Sequence, residues 1–155
     1  MHFEATMDTF EKLLAGLAEA RVDFILVGGL AVAYAGYERS TMDLGLLVEA
    51  SDENIEGLLS ALEDFGEGHA RELEPDDFAL EEGAVRVVEA FPLDLFTQIS
   101  GRTYEDLLPF TDERTVANAT IRHLDAEGLI SLKKDSLRPK DRLDVQALRD
   151  LQQGS

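Results

Sequence analysis

The apolar positions of this chain change period several times, and each change marks an element. Phe10, Leu13, Leu14 and Leu17 recur at helical spacing over residues 6–20 behind Thr6 or Asp8 as a cap, which predicts a first amphipathic helix. A short apolar strand is expected at 22–28, followed by an alanine-rich helix over 29–36 that Gly36 and Tyr37 end. A second strand is expected at 43–49. Its alternation sets Asp43, Gly45, Leu47 and Glu49 on one face, with Leu44, Leu46 and Val48 towards the core. Ser51 is placed to cap a helix over 52–65 with Ile55, Leu58, Leu59 and Leu62 inward, closed by Gly66 to Gly68. Two strand-like runs follow at 84–90 and 92–97, and Pro92 between them argues for a bend or an edge. Residues 103–109 read as a short helix and 113–122 as an extended segment turning near Asn118. Asp125 caps a helical region over 125–152 that breaks near Pro139, where proline suits the first turn of a new helix. Strands separated by helices give an α/β or α+β class: a mixed β-sheet flanked by helices, as a single domain over residues 1–155.

Charge narrows the partners. The formal net charge is -18, from 32 acidic and 14 basic residues. It is uneven: residues 1–127 hold 8 basic and 28 acidic side chains, net -20, while 128–155 hold 6 basic and 4 acidic, net +2. Such a surface repels duplex DNA and anionic lipid, which disfavours broad DNA binding, while a small phosphorylated ligand remains compatible if local cations converge on it. The acidic, lysine-poor composition also fits a cytosol of high salt, a halophilic host, because salt screens self-repulsion. There is no cysteine, and His2, His69 and His123 are scattered, so any metal is expected to be oxygen-bound. No run approaches the roughly 20 apolar residues of a membrane span, and no secretion signal is evident, so cytoplasmic residence without a membrane partner is the expectation.

The chemistry concentrates in two stretches. An apolar strand running through Val27 into Gly28 and Gly29 and then a helix presents backbone N–H groups to an anion. A second strand carries Asp43 behind Arg39, Ser40 and Thr41. A divalent cation bridging triphosphate oxygens usually needs two carboxylates two positions apart on one strand face, and position 45 is glycine. Asp94 lies in the apolar run Leu93–Phe96, where an ionised carboxylate is costly without a partner; a metal ion is one candidate, and a turn-capping Asp is the plain alternative.

Together these residues resemble the polymerase-beta-like nucleotidyltransferases, and among them the small prokaryotic proteins related to abortive-infection and toxin–antitoxin nucleotidyltransferases. The match runs through Gly28-Gly29, then Arg39-Ser40-Thr41-Met42-Asp43-Leu44-Gly45, Asp94, Lys133, and Arg138-Pro139-Lys140-Asp141-Arg142-Leu143-Asp144. The family pattern has a second aspartate where Gly45 stands. The resemblance implies that Gly28 and Gly29 cradle phosphates and that the Ser40 and Thr41 hydroxyls add hydrogen bonds. By the same resemblance Arg39 grips phosphate through its fork, and Asp43 and Asp94 hold Mg²⁺ or Mn²⁺ as the catalytic pair. Lys133, Arg138 and Lys140 are phosphate contacts on the same ground; otherwise these cations only decorate a helix, with Arg138 and Lys140 pairing with Asp141 and Asp144.

The implied reaction transfers a nucleoside monophosphate from a nucleoside triphosphate to a hydroxyl acceptor. Loss of an element aimed at developing charge commonly costs ~100-fold or more in rate, so Gly45 sets the question. Glu49 lies too far along the strand to substitute, and Glu89 is a candidate that the sequence does not place. Three readings stay open: a transferase working with Asp43 and Asp94, a nucleotide-binding module after decay of catalysis, and a protein-interaction module of toxin–antitoxin type with a protein partner.

Overall fold

The computed structural model describes residues 3–37, 43–63, 65, 68–88, 91–133 and 139–153. The segment Phe24–Val27 forms β1, with all four residues buried, and Leu44–Val48 forms β2, buried everywhere but Gly45. Strands apolar on both faces belong in the middle of a sheet covered on both sides. That is where they lie, in a six-stranded sheet of order β3-β4-β2-β1-β6-β5. Here β3 is Ala84–Val88, β4 Pro92–Phe96, β5 Thr111–Val116 and β6 Ala119–Leu124. β1 and β2 pair antiparallel, with Phe24 opposite Val48 and Val27 opposite Gly45. β4 runs parallel to β2 and β6 parallel to β1, while the outer pairs β3–β4 and β5–β6 are antiparallel hairpins. The sheet is therefore mixed, as the alternation of segments predicts.

The helices are α1 (Phe3–Glu19), α2 (Gly28–Tyr34), α3 (Asp52–Leu62), α4 (Tyr104–Leu107), α5 (Ala126–Lys133) and α6 (Pro139–Gln153), with short 3-10 turns at His69–Glu72, Pro75–Phe78 and Leu108–Phe110. Phe10, Leu14 and Leu17 of α1 and Ile55, Leu58 and Leu62 of α3 enter one continuous core with the central strands. Phe10 meets Phe91 edge to face at 4.6 Å, an arrangement that suits the ring quadrupoles. Ser51 caps α3 by accepting from the Asn54 N–H. Buried Asn54 is fully engaged: its Nδ2 donates to the carbonyls of Asp23 at 3.0 Å and Glu49 at 2.8 Å, and its Oδ1 accepts from the Asp23 N–H at 2.8 Å. One amide thus ties the start of α3 to the ends of β1 and β2, away from the glycines.

Two local expectations change. Leu47 is as buried as Leu46, so the outer face of β2 is open only near Asp43 and Gly45. The chain does reverse between the two runs, since Val88 pairs with Pro92 in the β3–β4 hairpin, but Pro92 is not on an edge: it is the first residue of an interior strand, where a missing N–H is tolerated, and β3 is the edge. The turn expected near Asn118 is there, as a two-residue hairpin loop with Ala117 at φ 48° and Asn118 at φ 69°. Asp125 caps α5 as expected, its Oδ1 accepting from the Gly128 N–H at 2.8 Å.

Candidate functional site

Strand register assembles the site. Because Val27 pairs with Gly45, and Gly45 in turn pairs with Asp94, the end of β1, the start of β2 and the middle of β4 lie side by side. The chain leaves β1 at Gly28 with φ +78°, a conformation that glycine adopts without a steric penalty, and turns directly into α2. A cavity of about 300 Å³ opens over this place. Its polar wall consists of Gly28, Gly29, Asp43, Asp94, Lys133 and Asp141, and Phe96, Ile99, Leu129 and Leu132 form an apolar wall. Five of the residues expected from the sequence, spread from Gly28 to Lys133, thus line one space. Gly45 lines it too. A Cβ at Gly45 would stand 3.2 Å from Val27 Cγ2 and 3.7 Å from the Phe96 ring, so the glycine keeps the floor low between two aspartates.

Asp94 has a partner that the sequence reading did not supply. Arg86, opposite it in the β3–β4 hairpin, donates from Nε to Oδ1 at 2.7 Å and from Nη2 to Oδ2 at 2.9 Å, a two-pronged pair. Nη2 also lies 3.8 Å from Asp43 Oδ2. The side chain of Arg86 is 54% exposed; that of Asp94, which lines the cavity, is 15% exposed. The hydrogen bond and charge of Asp94, with a smaller contribution from Asp43, push the guanidinium further towards its protonated form. The signal in the sequence was positional: Arg86 and Asp94 are equidistant from residue 90 between two strand-like runs, and pairing those runs as a hairpin would have matched them.

This bears on the divalent cation that the resemblance implies. Both oxygens of Asp94 are engaged by Arg86, Asp43 faces the same guanidinium, and position 45 has no side chain. Among the described residues no group of three or more His, Cys, Asp and Glu comes together to hold a metal. A hard cation that wants about six oxygens does not fit this donor set as arranged. Glu49 is engaged elsewhere, accepting from the Ser51 N–H and hydroxyl.

Lys133 also departs from a simple phosphate contact. Its Nζ donates to Asp141 Oδ1 at 3.2 Å and Asp144 Oδ2 at 3.0 Å, joining the end of α5 to the first turns of α6. These carboxylates are 4% and 1% exposed, so their burial needs a counter-charge. Lys133 is thus a partner of both Asp141 and Asp144, and the expected pairing of these carboxylates with Arg138 and Lys140 falls on side chains outside the described residues. Arg39, Ser40, Thr41, Arg138 and Glu89 lie outside the described residues. Lys140 falls in the first turn of α6, and its side chain likewise lies outside them. His123 is buried against Tyr34, and its Nδ1 lies 2.9 Å from the Leu124 carbonyl, which leaves it a core residue.

No protein-family model matches the chain. No curated protein matches it in sequence. Solved structures do match it in shape. A lincosamide antibiotic adenylyltransferase, LnuA, in its lincomycin-bound crystal structure, superposes with a TM-score of 0.63 at 17% identity, covering 91% of this chain and 94% of that one. An antigenic nucleotidyltransferase-like protein from Paracoccidioides brasiliensis superposes with a TM-score of 0.58 at 16% identity, covering 95% of this chain and 77% of that one. The chain has the nucleotidyltransferase fold.

Proposed function

We propose that the protein binds a nucleoside triphosphate in the cavity over Gly28 and Gly29, and that it is a nucleotidyltransferase-like protein whose transfer chemistry is impaired. One observation carries this reading: Gly28, Gly29, Asp43, Asp94 and Lys133, distant in sequence, line a single cavity of a size suited to part of a nucleotide. The neighbours' fold supports the binding half of the proposal, while Gly45 and the Arg86–Asp94 pair support the impaired half. In this reading the phosphates lie over the Gly28–Gly29 backbone, and the apolar wall of Phe96, Ile99, Leu129 and Leu132 takes the base or the acceptor. Whatever transfer occurs joins an acceptor hydroxyl oxygen to the α-phosphorus and releases pyrophosphate. Its place in the branch related to abortive infection and toxin–antitoxin systems, and a cytoplasmic home, belong to the same proposal. They rest on the ordered motif from Gly28 to Asp144 and on the composition. No described helix is long and apolar enough to cross a membrane.

Calorimetric titration with each nucleoside triphosphate, at low and at molar salt, tests the proposal. The expected result is saturable binding of at least one of them that Gly28→Val and Asp43→Ala each change at least tenfold. Absence of binding at every salt concentration would overturn it and leave the protein-interaction reading.

A further inference from the structure

Resting on the nucleotide-site reading, we infer that Arg86 stands in for a divalent ion beside this cavity: its guanidinium occupies the position between Asp94 and Asp43 that such an ion would need, and its remaining N–H groups meet the phosphate of the ligand.

Four observations carry this. First, the pair is built by backbone register: Arg86 stands opposite Asp94 across β3–β4, and Asp94 stands beside Gly45 across β4–β2. The guanidinium therefore does not depend on a flexible loop to reach the carboxylates. Second, Arg86 takes both Asp94 oxygens with bonds of 2.7 and 2.9 Å and reaches Asp43 at 3.8 Å, so a metal approaching these oxygens meets a like charge already seated on them. Third, the charges match. Asp43, Asp94 and Arg86 together carry a single negative charge, and Lys133 and Asp141 in the cavity wall cancel each other. An aspartate at position 45 would add a second and favour a divalent ion, so the glycine and the arginine fit each other. Fourth, a guanidinium has five N–H donors, and Asp94 occupies two of them. The side chain is more than half exposed, and the bonds to Asp94 use Nε and Nη2, so a phosphate oxygen bound beside Asp94 can accept from Nη1 without releasing that carboxylate.

The test reads the metal directly. Mn²⁺ alone is titrated into the wild type, Arg86→Gln, Arg86→Lys and the double variant Arg86→Gln/Gly45→Asp, with binding followed by the loss of free-ion electron paramagnetic resonance signal. Thermal melting of each variant checks its fold. The wild type is expected to show no saturable Mn²⁺ binding at millimolar ion. The double variant is expected to bind at least tenfold more tightly, and Arg86→Lys, which keeps the charge but loses the fork, to stay close to wild type. Saturable binding by the wild type as tight as in the double variant overturns the inference. So does a folded double variant that gains no Mn²⁺ binding. ATP is then titrated in excess chelator: wild-type affinity should fall at least tenfold in Arg86→Gln, and unchanged affinity removes Arg86 as the phosphate contact. If Mn²⁺ is excluded as expected and ATP binds to none of the proteins, the phosphate role of Arg86 falls with the nucleotide reading, while its displacement of the metal stands.

Discussion

At the scale of single residues, the site is governed by which charge meets which. Lys133 is the clearest case. It is the cation shown between Asp141 and Asp144, both almost completely withdrawn from water, so replacing it takes a positive charge away from two carboxylates in a poor dielectric. Breaking a buried pair from one side commonly costs about 3–5 kcal/mol, well above the worth of an exposed ion pair. Lys133→Ala is therefore expected to destabilise the protein by about 3 kcal/mol in urea unfolding. Adding Asp144→Asn should recover part of that loss, and an additive double variant would show that the lysine does not support Asp144. The same residue lines the cavity, so stability and ligand contact share one side chain. Gly45 acts differently, through absence. Its neighbour Val27 is buried and β-branched, and gives way poorly to an added Cβ.

At the scale of elements, the two outer hairpins flank an apolar centre and do different work. The β3–β4 hairpin delivers a cation to the site, as Arg86 opposite Asp94 shows. The β5–β6 hairpin covers the other side of the sheet and is closed by Ala117 and Asn118, both at positive φ. Asparagine accepts that conformation readily, whereas alanine pays about 1 kcal/mol to enter the left-handed region. Ala117→Gly is expected to raise stability by about 0.5–1 kcal/mol in urea unfolding with no change in ligand binding, since the turn is remote from Gly28. A loss of stability would mean that the turn is not limited by backbone strain. α4 illustrates the opposite, a well-supported terminus: Thr103 and Asp106 cap it reciprocally, and the Thr103 N–H and hydroxyl hold the Asp106 carboxyl below its usual range.

At the scale of the whole molecule, the charge of -18 sets conditions for both folding and binding. Like charges spread over a surface disfavour the compact state, and salt screens them over about 3 Å at 1 M against about 10 Å at 0.1 M. The melting temperature is expected to rise steadily from low salt to molar KCl, and a flat or falling profile would remove the halophilic expectation. Nucleotide affinity should rise over the first part of the same range, because a triphosphate approaches an acidic surface. The continuous apolar core supplies the main favourable term for folding, against which these charges act.

Much of this was legible in the chain because it is local. Apolar periodicity located the main helices and strands, the Ser51 and Asp125 caps and the hairpin turn near Asn118, since these depend on residues a few positions apart. The two glycines, Asp43, Asp94 and Lys133 could be picked out as chemistry from residue type and order. Only the tertiary structure decided what those residues face. Strand register placed Arg86 on Asp94, where the sequence suggested a metal. The approach of α6 to α5 gave Lys133 to Asp141 and Asp144, and both-sided burial took Leu47 into the core. Each of these depends on contacts across the fold, where geometry in space, and not spacing along the chain, determines which charge is neutralised and which surface is covered.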